Sequence, residues 1–278
     1  MLSRIGLPLL LAALSGPVCA EFFGASLDGA SWRVERSAVS CRLSQRVPRY
    51  GEAVFETVAG GRQHFVVLAQ KENPLLGGPA QLVAKPPAWN PARASVELGA
   101  IEVGDGREAL RLQDDAAARL LETLDAGLAP EFARPLQRDV TVQARFGLSP
   151  IDFRAAYRDY RDCAGKLLPV SFEHVQTTLL EFDSTRIDLS PQAQRKLDLL
   201  LRYAKADPGI VGFDIRAISA DTQRRLENLE LARQRAQQVN DYLQSRGVDA
   251  AKISSEYSGE RGGPQRRFVA VRIKRAQP

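Results

Sequence analysis

The chain has 278 residues, of which 44% are hydrophobic and 26% are charged, a mixture typical of a globular protein long enough for two domains. Its formal net charge of +5 is not concentrated in any long basic run, so the sequence does not indicate a nucleic-acid-binding protein. No apolar run reaches the length that a transmembrane helix requires.

The first 20 residues, MLSRIGLPLLLAALSGPVCA, are typical of a secretory signal peptide. Arg4 precedes an apolar run from Ile5 to Leu14, and the segment ends in a short stretch that we interpret as the cleavage site. Cys19 follows Val18, whereas lipid attachment needs a small residue directly before the cysteine. We therefore expect an exported mature chain with no lipid anchor and no transmembrane segment.

Removal of the signal peptide leaves two cysteines, Cys41 and Cys163. In an exported protein an even pair of cysteines suggests a disulfide bond, and two buried thiols are the alternative. A closed loop of roughly 120 residues would stabilise the fold by at most about 5 kcal/mol. The bond would hold a helix ending near Cys163 against the early strands.

Residues 21–167 form a predicted β-rich N-terminal domain with two helices. Short alternating segments separated by Gly and Pro clusters are typical of antiparallel strands. One helix is expected near residues 115–127, and a second from Ser149 to about Cys163, where Pro150 suits the first helical position. The predicted strands lie in SWRVERSAVSCRL, AVFETV, QHFVVLAQ, AQLVAK, ASVELGAIEV and DVTVQARFG.

Residues 168–278 show a different pattern, in which strands alternate with longer helices. The strand VSFEHVQTTLLEF precedes a helix capped by Ser190 and Pro191, and the strand IVGFDIRAI precedes a helix over residues 228–246. Two strands, KISSEYSG and RRFVAVRIK, close the domain. The order βαβαββ predicts a two-layer α/β sandwich with both helices on one face of a mixed sheet, and an α+β fold for the whole chain.

The last predicted helix contains NLELARQRAQQV, which places Arg233 and Arg235 two positions apart. At 100° per residue, Arg235 and Asn228 lie at the edge of the apolar face, whereas Arg233 lies among polar neighbours. A guanidinium group at the edge of a core needs a carboxylate or several carbonyl oxygens around it. Arg235 is therefore either half of an internal ion pair or a ligand-binding residue. The apolar face consists of Ala232, Ala236, Val239 and Leu243.

This half of the chain resembles the OmpA-like peptidoglycan-binding domain. The family signature, Asn-x2-Leu-Ser-x2-Arg-Ala-x2-Val, is matched in the last helix, with Ala232 in place of the serine. The stretch EFDSTRIDLSPQAQRKLDLLLRYAKADP resembles the family's first strand, loop and first helix. PQRRFVAVRI resembles its closing strand, with Gln265 replacing the asparagine of Asn-Arg-Arg. The matching signature residues are Asn228, Leu231, Arg235, Ala236 and Val239.

The resemblance implies that Arg235 and an aspartate after the second strand hold the zwitterionic end of diaminopimelate in the peptidoglycan stem peptide. A guanidinium fork suits the ligand carboxylate, and an aspartate suits its ammonium group. Asp221 is the matching aspartate, although it precedes Asn228 by seven positions instead of eight and could instead be a turn or helix-cap residue. The candidate peptidoglycan-binding residues are Asp183, Thr185, Asp221, Asn228 and Arg235.

The complete layout resembles the MotY family of flagellar motor (T-ring) proteins. Its shared features are a cleavable signal, a β-rich N-terminal domain that contains two cysteines, and a peptidoglycan-binding module. The resemblance implies a periplasmic protein of the Gram-negative envelope whose partners are peptidoglycan, the flagellar basal body and stator proteins. A general envelope anchor of the OmpA family, unrelated to flagella, is the alternative.

The sequence gives little support for an enzyme. His64 and His174 are 110 residues apart in strand-like stretches, so neither a local zinc pair nor a Ser-His arrangement is present. No nucleophile elbow, P-loop or dinucleotide fingerprint occurs, and we expect no catalytic residues, metal or cofactor. Because glycosidases need only two carboxylates, a peptidoglycan-active enzyme remains the second alternative.

Overall fold

The computed structural model describes residues 21–26, 28–87, 90–261 and 267–276, which form an α+β fold with two hydrophobic cores. The predicted signal peptide and Gln265 lie outside the described residues. Within the described ranges, no helix combines the length and the hydropathy that crossing a membrane requires.

The N-terminal half contains two five-stranded sheets and two helices. The sheets have the strand orders β1-β10-β9-β6-β7 and β2-β3-β4-β5-β8, and neighbours are antiparallel except that β1 is parallel to β10. Its elements are β1 Glu21–Phe23, β2 Trp32–Arg36, β3 Ser40–Val47, β4 Gly51–Val58, β5 Gln63–Ala69, β6 Gly78–Lys85, β7 Val96–Val103, β8 Glu108–Gln113, α1 Asp114–Asp125, β9 Ala129–Leu136, β10 Asp139–Gly147 and α2 Phe153–Ala164.

The first core follows from the two-residue period of these strands. In the register of β3, β4 and β5, Leu43 lies opposite Phe55 and Phe55 opposite Phe65, and all three side chains are buried. The rings of Phe55 and Phe65 are 4.6 Å apart between centroids. Burying one such side chain contributes about 1.5 to 3 kcal/mol. The side chains of this face therefore determine which side of the sheet packs against the core.

The two predicted helices are present, but the second starts later than expected. Helix α1 buries one apolar stripe, Ala117, Leu120, Leu121 and Leu124, against the first core. Helix α2 starts at Phe153, because Asp152 adopts a left-handed backbone conformation (φ 57°) that ends a turn over residues 150–152. The Ser149 carbonyl oxygen instead accepts hydrogen bonds from Trp32 Nε1 (2.9 Å) and Gln45 Nε2 (3.0 Å).

Cys41 and Cys163 form a disulfide bond, as predicted. Cys41 lies near the start of β3 and Cys163 in the last turn of α2, with Cα atoms 6.0 Å apart across a sequence separation of 122. The bond therefore fixes α2 to the sheet at the end of the N-terminal half.

The C-terminal half has the predicted βαβαββ order, with one short helix added before it. Its elements are α3 Phe172–Val175, β11 Thr177–Glu181, α4 Pro191–Ala206, β12 Ile210–Ser219, α5 Arg225–Ser245, a 3-10 helix Ala250–Lys252, β13 Ile253–Gly259 and β14 Phe268–Arg275. The sheet order is β11-β14-β12-β13, with β12 parallel to β13 and the other neighbours antiparallel.

The segment VSFEHVQTTLLEF is not one strand, as the sequence pattern suggested, but helix α3 followed by β11. Ser171 explains the difference, because its hydroxyl group accepts a hydrogen bond from the backbone N–H of His174 and so caps the short helix. His174 is therefore helical, whereas His64 lies in β5 as predicted.

Both long helices of this half pack on one face of the sheet. Ile215 on β12 and Val271 on β14 are register partners and point into the second core. Leu197 and Leu200 of α4 are fully buried there, together with the predicted stripe of α5. The result is the two-layer sandwich that the sequence predicted.

The two halves are in contact. Val39 and Ala59, at the ends of N-terminal hairpins, belong to the second core. The Leu168 N–H donates to the Ala38 carbonyl (3.0 Å), and the Gly60 N–H donates to the Leu168 carbonyl (3.1 Å). The N-terminal hairpins thus cover part of the C-terminal core, and the boundary at residues 167 and 168 stays a prediction.

Candidate functional site

Arg235 lies in the middle of α5 with 0% of its surface exposed, and each nitrogen of its guanidinium group donates hydrogen bonds. Nη1 donates to Asp221 Oδ2 (2.8 Å) and Ser219 Oγ (2.9 Å), and Nη2 donates to Asp221 Oδ1 (3.2 Å). Nη2 also donates to the Asp183 carbonyl (3.1 Å), and Nε donates to the Arg186 carbonyl (2.8 Å). These bonds satisfy all five donors of the group.

Asp221 lies two residues after the end of β12 and is the ionic partner of Arg235. Its oxygens also accept hydrogen bonds from the Ser219 hydroxyl group and from the Thr185 backbone N–H (3.0 Å). Burial alone would raise the pKa of this carboxyl group, but the hydrogen bonds from Arg235, Ser219 and Thr185 outweigh it and lower the pKa from 3.8 to about 2. Asp221 is therefore ionised at neutral pH.

An exposed loop, residues 183–186, covers the ion pair and separates it from solvent. The Asp183 and Arg186 carbonyl groups accept from Arg235, and the Thr185 N–H donates to Asp221. Thr185 has a left-handed backbone (φ 58°), which is unfavourable for a β-branched residue. Asp183 and Thr185 therefore contact the pair through their backbone atoms, while their side chains face solvent.

Asn228 is fully buried and fastens the loop that carries Asp221 to the start of α5. Its Nδ2 donates to the carbonyl oxygens of Thr222 (2.7 Å) and Glu260 (2.6 Å), and its Oδ1 accepts from the Thr222 N–H (2.8 Å). These bonds use both Nδ2 hydrogens and the Oδ1 of Asn228, and its role in peptidoglycan binding stays a prediction. Helix α5 starts at Arg225, three residues before the predicted start.

Arg233 is on the solvent side of α5, as predicted, and pairs with Glu230 (2.6 Å). The sequence did not identify two residues of the site, Ser219 and Arg267. Ser219 Oγ accepts a hydrogen bond from Arg235, and Arg267 Nη1 lies 4.0 Å from Asp221 Oδ1. The two-residue period of β12 could have identified Ser219, because it continues the inward row of Phe213, Ile215 and Ala217.

Histidine, cysteine and carboxylate side chains are the groups that could supply catalytic chemistry or hold a metal ion. Among the residues that it describes, no three His, Cys, Asp or Glu side chains are arranged to hold a metal ion. His64 Nε2 lies 3.3 Å from Glu56 Oε2 on the neighbouring strand, within the N-terminal sheet. The Asp221–Arg235 pair is therefore the candidate site, and its groups are suited to binding charge.

Two family models match this chain. The model of the MotY N-terminal domain matches residues 23–169, which is more than half of the chain. The chain belongs to the MotY family. The model of the OmpA family matches residues 181–271, a range that includes every candidate peptidoglycan-binding residue. Together they give a MotY-family protein with a C-terminal OmpA-family domain.

One relative matches along nearly the whole chain, and one solved structure aligns with part of it. The sodium-type flagellar protein MotY of Vibrio parahaemolyticus serotype O3:K6 (strain RIMD 2210633) is 23% identical over 285 residues, covering 96% of this chain and 95% of the relative. The OmpA-like domain of FopA1 from Francisella tularensis subsp. tularensis SCHU S4 aligns with 36% of this chain and 75% of its own, at 18% identity and a TM-score of 0.29.

Proposed function

We propose that this MotY-family protein is a periplasmic component of the flagellar motor whose C-terminal domain binds peptidoglycan at the Asp221–Arg235 pair. The observation that carries the proposal is the set of backbone hydrogen bonds that loop 183–186 makes with the two charged groups. The loop offers two carbonyl oxygens to the guanidinium group and one N–H to the carboxylate. A zwitterionic amino acid offers the same arrangement of acceptors and donors.

The exchange of loop for ligand can be followed atom by atom. Moving the loop aside releases Nε and Nη2 of Arg235 from two neutral carbonyl groups, while Nη1 keeps its bond to Asp221. A ligand carboxylate then binds these two parallel donors. The same movement releases Asp221 Oδ1 from the Thr185 N–H, and a ligand ammonium group takes that place. Charge-assisted hydrogen bonds are roughly twice as strong as neutral ones, which favours the exchange.

Diaminopimelate in the stem peptide suits this exchange, because its free end carries a carboxylate and an ammonium group on one carbon atom. A ligand with only one of these groups would leave either the guanidinium donors or the carboxylate acceptor unpaired in a buried site, which is costly. The strained backbone of Thr185 lowers the cost of opening the loop, because the strain is released when the loop moves.

The N-terminal domain is proposed to associate with the flagellar basal body and so to help incorporate and anchor stator units. Support comes from family membership and from a relative described as a sodium-type flagellar protein that matches along 96% of this chain. Close contact between the two halves would let the wall-binding domain hold the N-terminal domain in place.

Peptidoglycan binding is tested with two matched variants, Arg235→Lys and Arg233→Lys, in sedimentation with purified sacculi. Lysine at position 235 keeps a charge beside Asp221 but cannot offer two parallel donors, so binding should weaken by about tenfold or more. Arg233→Lys should bind like the wild type, because that side chain pairs with Glu230 on the exposed side of α5. Equal binding by both variants would refute the site.

The motor role is tested by deleting the gene and scoring swimming separately from flagellum assembly. Flagellated cells that swim poorly or not at all support the proposal, whereas normal swimming supports a general envelope anchor. A turnover assay on purified sacculi tests the enzymatic alternative, and we expect no release of soluble fragments.

A further inference from the structure

A shallow groove of about 380 Å³ lies on the outer face of the sheet that contains β2, β3, β4 and β5. Its lining includes four arginines: Arg33 on β2, Arg46 on β3, Arg49 between β3 and β4, and Arg107 just before β8. Glu52 is the only carboxylate among its lining residues in the described part of the chain. We call this feature the arginine groove.

Most other basic groups of this sheet have acidic partners. Arg49 binds the carboxylate of Glu21 (3.2 Å), so its charge is already compensated. Elsewhere on the same sheet, opposite charges pair across neighbouring strands or within one strand, as is usual for an exposed sheet face. The pairs are Arg42 with Glu35 (3.7 Å) and Arg111 with Glu108 (2.6 Å).

The three remaining arginines of the groove differ from this pattern. Within the ranges that the structure describes, neither Arg33 nor Arg46 lies within ion-pair distance of a carboxylate. Arg107 donates its Nε to the Ala69 carbonyl (3.2 Å) and has no acidic partner in the same ranges. Like charges repel, so a site with three such guanidinium groups and one carboxylate favours an anionic partner.

The span of the groove identifies the kind of anion. Arg33 lies on β2, and Arg107 Nε reaches the Ala69 carbonyl on β5, three strands away in the sheet, which is about 14 Å at the usual strand spacing of about 4.8 Å. A single small anion cannot reach guanidinium groups so far apart. An extended polypeptide rises about 3.3 Å per residue, so acidic side chains roughly four residues apart would match.

We propose that the arginine groove binds an acidic polypeptide segment of the protein through which the N-terminal domain associates with the basal body. The inference rests on the proposed function and adds the surface and the chemistry of the partner. Arginine suits this role because its planar fork binds a carboxylate through two parallel hydrogen bonds. The groove and the peptidoglycan site belong to different halves of the chain, so both could be occupied together.

The first test measures binding of a short labelled peptide of alternating Glu and Ser to the full mature chain by fluorescence anisotropy. Arg33→Gln/Arg46→Gln should bind about tenfold more weakly, because two exposed charge pairs are lost. The matched control, Arg119→Gln/Arg158→Gln, removes two exposed arginines from α1 and α2 and should bind like the wild type.

Two comparisons make this test specific. The same peptide with Gln in place of Glu should not bind, and raised salt should weaken binding of the Glu peptide. Equal loss of binding in the groove variant and the control variant would show that only net charge matters and would overturn the proposal. Inorganic phosphate that binds the groove as tightly as the peptide would overturn the assignment to a polypeptide.

The second test uses basal bodies isolated from cells that lack the gene. The wild-type chain and the control variant should co-sediment with them, and the groove variant should not, while all three should bind purified sacculi equally. If the groove variant co-sediments like the wild type, the groove is not the docking surface. If even the wild type fails to co-sediment, the proposed role of the N-terminal domain is wrong, and the peptide measurement alone decides the chemistry of the groove.

Discussion

Replacing Arg235 with Ala should lower the stability of the C-terminal domain far more than replacing Arg233 with Ala. Arg235 and Asp221 both have side chains with 0% exposure, so the substitution leaves a carboxylate buried without its ionic partner. It also removes the donors that satisfy the Asp183 and Arg186 carbonyl groups.

The expected loss of stability follows from the burial of the Asp221–Arg235 pair. Breaking a buried ion pair by removing one partner costs about 3 to 5 kcal/mol. Arg233 and Glu230 are each half exposed, and solvent screens such a surface pair so that it contributes little to stability. The two substitutions remove the same charge from positions two residues apart, yet their effects should differ by at least about 2 kcal/mol.

Urea unfolding followed by circular dichroism measures both free energies, with the slope checked for each variant. The double variant Asp221→Ala/Arg235→Ala should lose less free energy of unfolding than the two single variants lose in sum, because each single variant leaves one buried charge unpaired. An Arg235→Ala chain as stable as Arg233→Ala would refute the reasoning, since the pair would then contribute nothing to the fold.

Three further predictions concern stability. The lowered pKa of Asp221 means that its ionised form contributes about 2 kcal/mol to the free energy of unfolding, fully above about pH 4 and progressively less as the pH falls through about 2. The difference in stability between the wild type and Asp221→Asn should therefore shrink over this pH range in acid unfolding. Cys41→Ser/Cys163→Ser should lose roughly 2 to 5 kcal/mol in urea, and reduced wild type should match it. Excised residues 168–278 should fold and sediment with sacculi but melt earlier than in the full chain, because Val39 and Ala59 no longer cover the core; equal melting temperatures would contradict this.

The sequence predicted the C-terminal fold well because its helices and strands have clear periods. Helix α4 starts at Pro191 after the cap Ser190, as predicted, and α5 buries the predicted stripe. Strand β9, by contrast, was not predicted, because its two prolines are unfavourable in a β-strand. Pro130 is the second residue of β9, within its three-residue ladder with β6, and Pro135 lies at an irregularity between β9 and β10, where proline is tolerated.

The site was only partly predictable. The helical period placed Arg235 at the core edge, and the family resemblance paired it with Asp221, which is its ionic partner in the structure. Neither source indicated that backbone groups of residues 183–186 would close the pair, because that depends on the left-handed backbone of Thr185. Asn228 stays a predicted binding residue, and the sequence did not show that its side chain holds the neighbouring loop.

The central claim, that Arg235 and Asp221 bind a zwitterion by exchanging it for the loop 183–186, is tested most directly by NMR titration of the ¹⁵N-labelled mature chain. The ligands are a stem peptide containing diaminopimelate and the same peptide with lysine, which lacks the second carboxylate. We predict that the diaminopimelate peptide shifts the amide resonances of Thr185 and Arg186 and that the lysine peptide leaves them unchanged. Equal shifts with both peptides, or none with either, would contradict the account.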